Sequence, residues 1–197
     1  MALPRFATAV LLSALAAAPS AWAFEVDLVP SNPRTLYLRV GSAGDVINRV
    51  ETTLSPGNIG NGVSQPMLPT SGGATASELD GGPACSVGQV YVAGYYRTAS
   101  QGQPFGDPAR MSVLAPPTLV GAGGSIPISQ ISWTTSHARN PASPVPATGT
   151  FSGGSQVFGS IVRNRWFETC MSFSYANQQI VPGGSYDARV TFTLTQP

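Results

Sequence analysis

The residues of this chain that could carry chemistry are few and widely spaced. His137 is the only histidine, and it lies in a polar, proline-rich stretch from Thr134 to Thr150 that we predict to be a loop. Catalysis by a serine–histidine–acid triad needs a positioned serine, and the sequence contains no G-x-S-x-G turn. Lysine is absent, which excludes a P-loop lysine and Schiff-base chemistry. We therefore predict that the protein is not an enzyme and that His137 is a solvated loop residue.

Two pairs of acidic residues are close enough in sequence to share a site. Glu25 and Asp27 lie on one face of a predicted strand, and Glu78 and Asp80 lie in a predicted loop. Paired carboxylates can bind a cation or hydrolyse a glycosidic bond. Solvated polar faces are far more common than either kind of site. We therefore predict no metal site and no cofactor.

The first 23 residues have the pattern of a secretory signal peptide. Arg5 is followed by an apolar run from Ala7 to Ala18, which is too short to span a bilayer. Residues 21–23, Ala-Trp-Ala, satisfy the small-x-small rule for signal peptidase, so we predict cleavage after Ala23. No later apolar run is long enough to cross a membrane. We expect an exported protein without a transmembrane segment.

The charge of the chain is low and nearly balanced. All ten basic residues are arginine, nine residues are acidic, and charged residues make up 10% of the chain. Because Arg5 would leave with the signal peptide, the exported chain has a net charge near zero, which argues against nucleic acid as a partner. Such a surface is typical of an ordinary exported β-protein. The alternative is a surface that favours self-association, because near-zero charge does little to keep copies apart.

The only two cysteines, Cys85 and Cys170, are predicted to form a disulfide because an exported chain matures in an oxidising compartment. Loop-closure entropy for such a long loop contributes on the order of 4–5 kcal/mol. If Met171, Phe173 and Tyr175 face the core, Cys170 faces outward, and the bridge joins the preceding loop to the outer face of that strand. A redox pair or a pair of metal ligands is the alternative.

The stretch from residue 166 to residue 197 indicates the fold class. Phe167–Tyr175 and Asp187–Thr195 are predicted strands, separated by a turn-forming segment with one proline and two adjacent glycines. In the second strand Val190, Phe192 and Leu194 alternate with polar residues. A period of two over nine residues is typical of a half-buried antiparallel strand. We expect this strand to be the last one of the domain.

Further strands are predicted along the rest of the chain. They are Thr35–Val40, Val46–Leu54, Val63–Leu68, Val87–Arg97, Met111–Leu114, Thr118–Val120, Ser125–Trp133 and Gln156–Val162. The first two are expected to form a hairpin, and a bulge is expected near Ser129. The irregular stretch from Ser55 to Ala84 is either a functional surface loop or contains a short edge strand, which would be Val63–Leu68.

These strands predict a single all-β domain over residues 24–197. No segment has a sustained helical period, and the chain contains 22 glycines and 18 prolines. Many short strands with turn residues between them are typical of an antiparallel β-sandwich or barrel.

The segment from Gly183 to Leu194, GGSYDARVTFTL, resembles the C-terminal strand of exported bacterial pilins. The resemblance is to subunits of the chaperone–usher type, including the alternate and archaic branches and spore-coat-U-like domains. The predicted signal peptide, the single cysteine pair and the composition rich in glycine, threonine and serine agree with it. The resemblance implies an incomplete immunoglobulin-like sandwich, which a neighbouring subunit completes with its N-terminal extension by donor-strand complementation.

The resemblance also implies which residues would assemble the fibre. Residues 24–33 would be the donor strand and its linker. The groove-filling side chains would be Phe24, Val26 and Leu28, and the groove wall would be Val190, Phe192 and Leu194. Because family extensions are usually longer than this one, the alternative is that residues 24–29 complete the sheet of their own domain.

The function implied is that of a structural subunit or accessory protein of a bacterial surface fibre, a fimbria or pilus. Its partners would be other fibre subunits or copies of itself, with a periplasmic chaperone and an outer-membrane usher. It would pass through the periplasm and reside at the cell surface or in the fimbrium. The alternative is a secreted adhesive or carbohydrate-binding β-sandwich module, with Trp133 and His137 at its binding surface.

Overall fold

The fold is built from antiparallel β-strands. The computed structural model describes residues 34–41, 49–70, 75–98, 107–138 and 147–197, and contains no α-helix within them. The strands are β1 (Arg34–Val40), β2 (Val50–Glu51), β3 (Gln65–Pro69), β4 (Thr75–Ala76), β5 (Pro83–Cys85), β6 (Val90–Thr98), β7 (Ala109–Ala115), β8 (Thr118–Gly121), β9 (Gly124–Pro127), β10 (Ile131–His137), β11 (Gly149–Thr150), β12 (Gly154–Ile161), β13 (Arg165–Tyr175), β14 (Tyr186–Asp187) and β15 (Thr191–Thr195). The predicted all-β class is confirmed.

The largest sheet is organised around β13, the longest strand. Its order is β1-β6-β13-β10-β11, and β3 pairs with the C-terminal end of β13 and with β2. Residues 165–171 of β13 lie opposite β6, and residues 169–175 lie opposite β10. The other sheets are β12-β7-β15, β14-β8-β9 and the two-stranded β4-β5.

The core lies between the large sheet and the β12-β7-β15 sheet. Alternate residues of β7, namely Ala109, Met111, Val113 and Ala115, are buried, as the period of two requires. From the large sheet, Phe167, Met171, Phe173 and Tyr175 of β13 join them. The two sets belong to one hydrophobic cluster, which is the arrangement of a β-sandwich.

The hairpin predicted between Thr35–Val40 and Val46–Leu54 is wrong. β1 instead pairs with β6 over seven residues, from Arg34 opposite Thr98 to Val40 opposite Val92. Of the second predicted strand, residues 46–48 lie outside the described part of the chain, and Val50–Glu51 pairs with β3. β6 offers β1 a longer ladder with an apolar inward face, and this long-range pairing prevails over the local turn.

The predicted final strand, Asp187–Thr195, is interrupted. Residues 186–187 form β14 and pair with β8, whereas β15 begins at Thr191 and pairs with β7. Because β13 and β15 belong to different sheets, residues 176–185 connect two layers of the fold. The break occurs where the chain changes its partner strand.

Two other predicted segments differ in detail. Ser125–Trp133 is not one bulged strand, because a 3₁₀ turn at Ile128–Gln130 separates β9 from β10. The stretch from Ser55 to Ala84 does contain a short strand, β3, but it lies between β2 and β13 and is therefore not at an edge. β4 and β5 lie in the same stretch.

Candidate interaction surfaces

The disulfide predicted between Cys85 and Cys170 is confirmed. The two Cα atoms are 5.6 Å apart, and the bridge closes a loop of 85 residues. Met171 faces the core, as predicted, and Cys170 lies on the outer face of the large sheet. There it packs in a separate cluster with Tyr91 and Ala93. The bridge therefore joins β5 to the outside of β13.

Residues 75–85, which we call the strap, carry the polar groups that cover this outer face. Glu168 of β13 is 3% exposed beneath the strap. Its Oε2 accepts hydrogen bonds from Ser77 Oγ at 2.8 Å, from the Tyr91 hydroxyl at 2.8 Å and from Trp166 Nε1 at 3.3 Å. Burying a carboxylate is costly unless hydrogen bonds replace its lost water, and these three donors do so.

Glu78 attaches the strap to β1. Its carboxylate forms an ion pair with Arg39 and accepts a hydrogen bond from the Tyr37 hydroxyl. Its backbone N–H donates to the Tyr91 hydroxyl at 3.2 Å. The other member of the predicted acid pair, Asp80, accepts a hydrogen bond from the Gly82 N–H at 3.0 Å. The two carboxylates thus have separate structural partners.

Two tyrosines next to the strap have altered acidity. Burial raises the pKa of Tyr91 to about 12, and the hydrogen bond to Glu168 acts in the same direction. The pKa of Tyr37 is also raised to about 12, first by burial and then by the hydrogen bond to Glu78. Both phenols therefore remain protonated donors over the physiological pH range.

Three aromatic rings lie together beside the strap. The ring centroids of Tyr37 and Tyr95 are 5.5 Å apart, and Trp166 lies 6.0 Å from each of them. The rings come from three neighbouring strands of the outer face, where Tyr37 and Trp166 are both register partners of Tyr95. All three side chains are half-buried. They form a continuous aromatic cluster that is partly open to solvent.

The prediction that Trp133 forms a binding surface with His137 is wrong, because Trp133 is buried. Trp133 is 6% exposed, packs 4.8 Å from Phe151 between ring centroids, and donates from Nε1 to the Ala147 carbonyl at 2.9 Å. It is a core residue, because its position in β10 faces inward opposite Phe173. His137 is exposed at the end of β10 and not in a loop.

The predicted groove wall lies at one side of the sandwich, where β15 and β1 contact each other. Within the described chain, β15 pairs only with β7 and β1 only with β6. The inward apolar side chains here are half-buried: Leu36, Leu38 and Val40 on β1, Phe192 and Leu194 on β15, and Val190 just before it. Equivalent residues of the inner strands, such as Met111 and Met171, are at most 1% exposed.

Several predicted site residues lie outside the described residues. These are the donor side chains Phe24, Val26 and Leu28 and the acid pair Glu25 and Asp27. Within the ranges that are described, no three or more histidine, cysteine or acidic side chains are grouped as metal ligands. In the same ranges, no helix has both the length and the apolar character needed to span a membrane.

Sequence reasoning missed Glu168 and Asn177. Glu168 and Cys170 are two residues apart and therefore face the same side of the strand. A charged residue in the middle of a predicted strand, on the same face as a bridged cysteine, indicates that another segment covers this outer face. Asn177 is fully buried and has a positive φ of 53°. Its side chain accepts from the Gly60 N–H at 2.8 Å and donates to the Asn58 carbonyl at 2.7 Å. No pattern in the sequence predicts that partnership.

Comparisons with protein-family models, with curated proteins and with solved structures return no match to this chain.

Proposed function

We propose that this chain is an exported structural subunit or accessory protein of a bacterial surface fibre, assembled by donor-strand complementation. In this proposal the sandwich is immunoglobulin-like and incomplete, and a strand from another copy or another subunit completes it. A periplasmic chaperone and an outer-membrane usher would deliver it to the cell surface.

The observation that supports the proposal best is the half-covered core beside β15. Phe192 and Leu194 pack against the core yet remain half-buried, and the backbone edge of β15 away from β7 has no strand partner in the described chain. An open strand edge beside incompletely buried apolar side chains favours the addition of a strand. Such a strand would pair with the backbone and cover Phe192 and Leu194 together.

The proposed donor is the segment at residues 24–29, FEVDLV, of a second copy or the same region of a partner subunit. Its alternation would direct Phe24, Val26 and Leu28 towards the groove. Glu25 and Asp27 would then point to solvent. The apolar face of this segment would thus fill the groove, and its polar face would form the outer surface. The proposal also agrees with the resemblance of residues 183–194 to pilin C-terminal strands.

The test uses the protein purified after export, with its mature N-terminus identified by intact mass. A synthetic peptide of residues 24–29 is added during thermal unfolding. Ligand linkage predicts a stabilisation of about 2.7 kcal/mol when the peptide is at a hundredfold excess over its Kd. A peptide with aspartate in place of Val26 and Leu28 is the matched control and should give no stabilisation.

The same substitutions in the chain test assembly. V26D together with L28D should prevent polymerisation and leave the fold of the monomer intact. Exchanging Glu25 and Asp27 for serine changes the other face of the same strand and should preserve polymers. A monomer that unfolds cooperatively at high temperature and ignores every donor peptide would instead mean that residues 24–29 complete their own sheet.

A second candidate function is carbohydrate binding, and the aromatic cluster of Tyr37, Tyr95 and Trp166 favours it. Aromatic rings that are partly open to solvent offer apolar faces to the C–H groups of a sugar ring, and their polar tips offer hydrogen bonds. A glycan that quenches Trp166 fluorescence, and no longer binds after Trp166→Ala, would support this function. His137→Ala is the control, because His137 lies outside the cluster.

A further inference from the structure

The strap, residues 75–85, forms a small sheet of its own. Thr75 pairs with Cys85 and Ala76 with Pro83. Its turn is closed internally, because the Ser77 N–H donates to the Gly82 carbonyl at 2.8 Å. Among the described strands, neither β4 nor β5 pairs with a strand of the large sheet. The strap is thus attached by side chains and by one covalent bond.

The strap is held by polar contacts, and Ala84 and Cys85 add apolar contacts with the cluster around Cys170. Ser77 donates to Glu168, while Glu78 pairs with Arg39 and Tyr37 through its side chain and with Tyr91 through its backbone. Each such contact contributes modestly to stability, because its groups are also well solvated when apart. The Cys85–Cys170 bond keeps these groups close together, which gives them a high effective concentration.

The residues beneath the strap form a cluster separate from the main core. Cys85, Tyr91, Ala93 and Cys170 are at most 3% exposed, and they belong to a different hydrophobic cluster from Met171 and its neighbours. No strap residue contributes to the main core cluster. A local opening of the strap would therefore leave the sandwich core in place.

We propose that the disulfide is a redox latch on the strap. Reduction of the Cys85–Cys170 bond releases residues 75–85 from the outer face and exposes Glu168, Tyr91 and Trp166, while the sandwich stays folded. The reductant is a dithiol, such as an exported thiol–disulfide oxidoreductase or dithiothreitol. The sulfur–sulfur bond breaks, the two cysteines receive two electrons and two protons, and the dithiol becomes a disulfide.

The proposal is independent of fibre assembly and makes a kinetic prediction. Both sulfurs are buried in the oxidised protein, so a thiolate reaches them only when the strap opens. The reduction rate under native conditions should then follow the population of the open strap. Ser77→Ala removes one attachment to Glu168, so we expect reduction by dithiothreitol to become about tenfold faster.

Two control variants separate strap opening from unfolding of the whole domain. Ile161→Val removes a methyl group from the main core and lowers global stability without touching the strap. It should leave the reduction rate unchanged. Ser155→Ala, at an exposed position of β12, should also have no effect. If Ile161→Val accelerates reduction as much as Ser77→Ala, reduction requires global unfolding and the proposal is wrong.

Hydrogen exchange of the oxidised and the reduced full-length exported protein provides the second test. We expect exchange after reduction to accelerate far more in the amides of residues 75–85 than in β7, whose amides report only the lower global stability that follows loss of the bridge. The emission of Trp166 should move to longer wavelength as the strap leaves, whereas Trp133 remains buried in the core. An equal acceleration in β7 and in the strap, or none in the strap, would contradict the latch.

Discussion

The hydroxyl of Tyr91 donates to Oε2 of Glu168 across two adjacent strands, at 2.8 Å and beneath the strap. Glu168 is opposite Ala93 in the register of β6 and β13, and the small alanine leaves room for the carboxylate on the outer face. The same oxygen also accepts from Ser77 and Trp166. One carboxylate thus joins three segments of the chain.

Replacing Glu168 by glutamine should lower the free energy of unfolding by about 1–3 kcal/mol. The amide keeps the shape of the side chain and can place its oxygen where Oε2 lies, but a neutral oxygen accepts weaker hydrogen bonds from the three donors than a carboxylate does. Chemical denaturation measures the change. Glu51→Gln is the control, because Glu51 is half-exposed in its ion pair with Arg49 and should contribute less than about 1 kcal/mol.

Stability should fall as the pH rises from about 10 to about 12. Tyr91 and Tyr37 have folded-state pKa values of about 12, against an ordinary value of 10.0. Between these values the unfolded state loses protons that the folded state retains, so their contribution is complete below pH 10 and is lost above it. Lysine is absent and cannot titrate in this range.

Absorbance of tyrosinate near 295 nm, recorded with unfolding curves at each pH, checks this expectation. Tyr91→Phe should make the alkaline loss of stability less steep and remove one late-titrating group. Folded protein in which all six tyrosines ionise near pH 10 would contradict it.

Gly94→Ala should destabilise the fold by about 1–3 kcal/mol, because there is no room for a methyl group. An added Cβ would lie 2.4 Å from the Tyr37 carbonyl oxygen and 2.8 Å from Cε1 of Phe167. The backbone of β1 approaches β6 closely here. Gly159→Ala is the matched control, because Gly159 lies at a bulge in β12 with no atom within 4 Å of its added Cβ. Thermal and chemical unfolding compare the two variants.

Asn177→Ala should cost about 1–3 kcal/mol, because it removes the part-buried hydrogen bonds from its side chain to the Gly60 N–H and the Asn58 carbonyl. The positive φ of Asn177 adds strain for alanine. Gln178→Ala, whose own side chain is exposed, should change stability by less than about 0.5 kcal/mol. Equal stability of the two variants would show that Asn177 does not hold this turn.

His137→Ala should change stability by no more than about 0.5 kcal/mol, since the side chain is exposed and its backbone remains in the ladder opposite Thr169. We expect polymerisation to be unaffected as well. Differential scanning calorimetry and an assembly assay test this. Loss of a defined hydrolytic activity in the variant would overturn the prediction that the protein is not an enzyme.

The alternation of side chains, and with it the all-β class, is readable from the sequence because the pleat of a strand is a local property. Residues 167–175 are predicted as a strand and lie in β13. Cys170 points outward because it is next to Met171, which faces the core, and neighbouring residues of a strand point to opposite faces. The disulfide was also predictable, since the two cysteines have one possible intramolecular pairing and the N-terminal pattern predicts export to an oxidising compartment.

Only the tertiary structure decided which strands meet. Local spacing favoured a hairpin after β1, whereas β1 pairs with β6, more than fifty residues away. Likewise, the period of two places Trp133 on a face but does not say whether that face is inside. It is inside because β10 joins the large sheet beside β13.

The partners of Glu168 under the strap could not be predicted from the sequence for the same reason. Ser77, Tyr91 and Glu168 are spread over 92 positions of the chain, and none of them has a motif around it. Their hydrogen bonds exist because the sheet register places Tyr91 near Glu168 and the disulfide returns the strap to β13. Alternation along one strand is set by the local geometry of the extended backbone. Contacts between distant segments depend on the free energy of the whole packed arrangement.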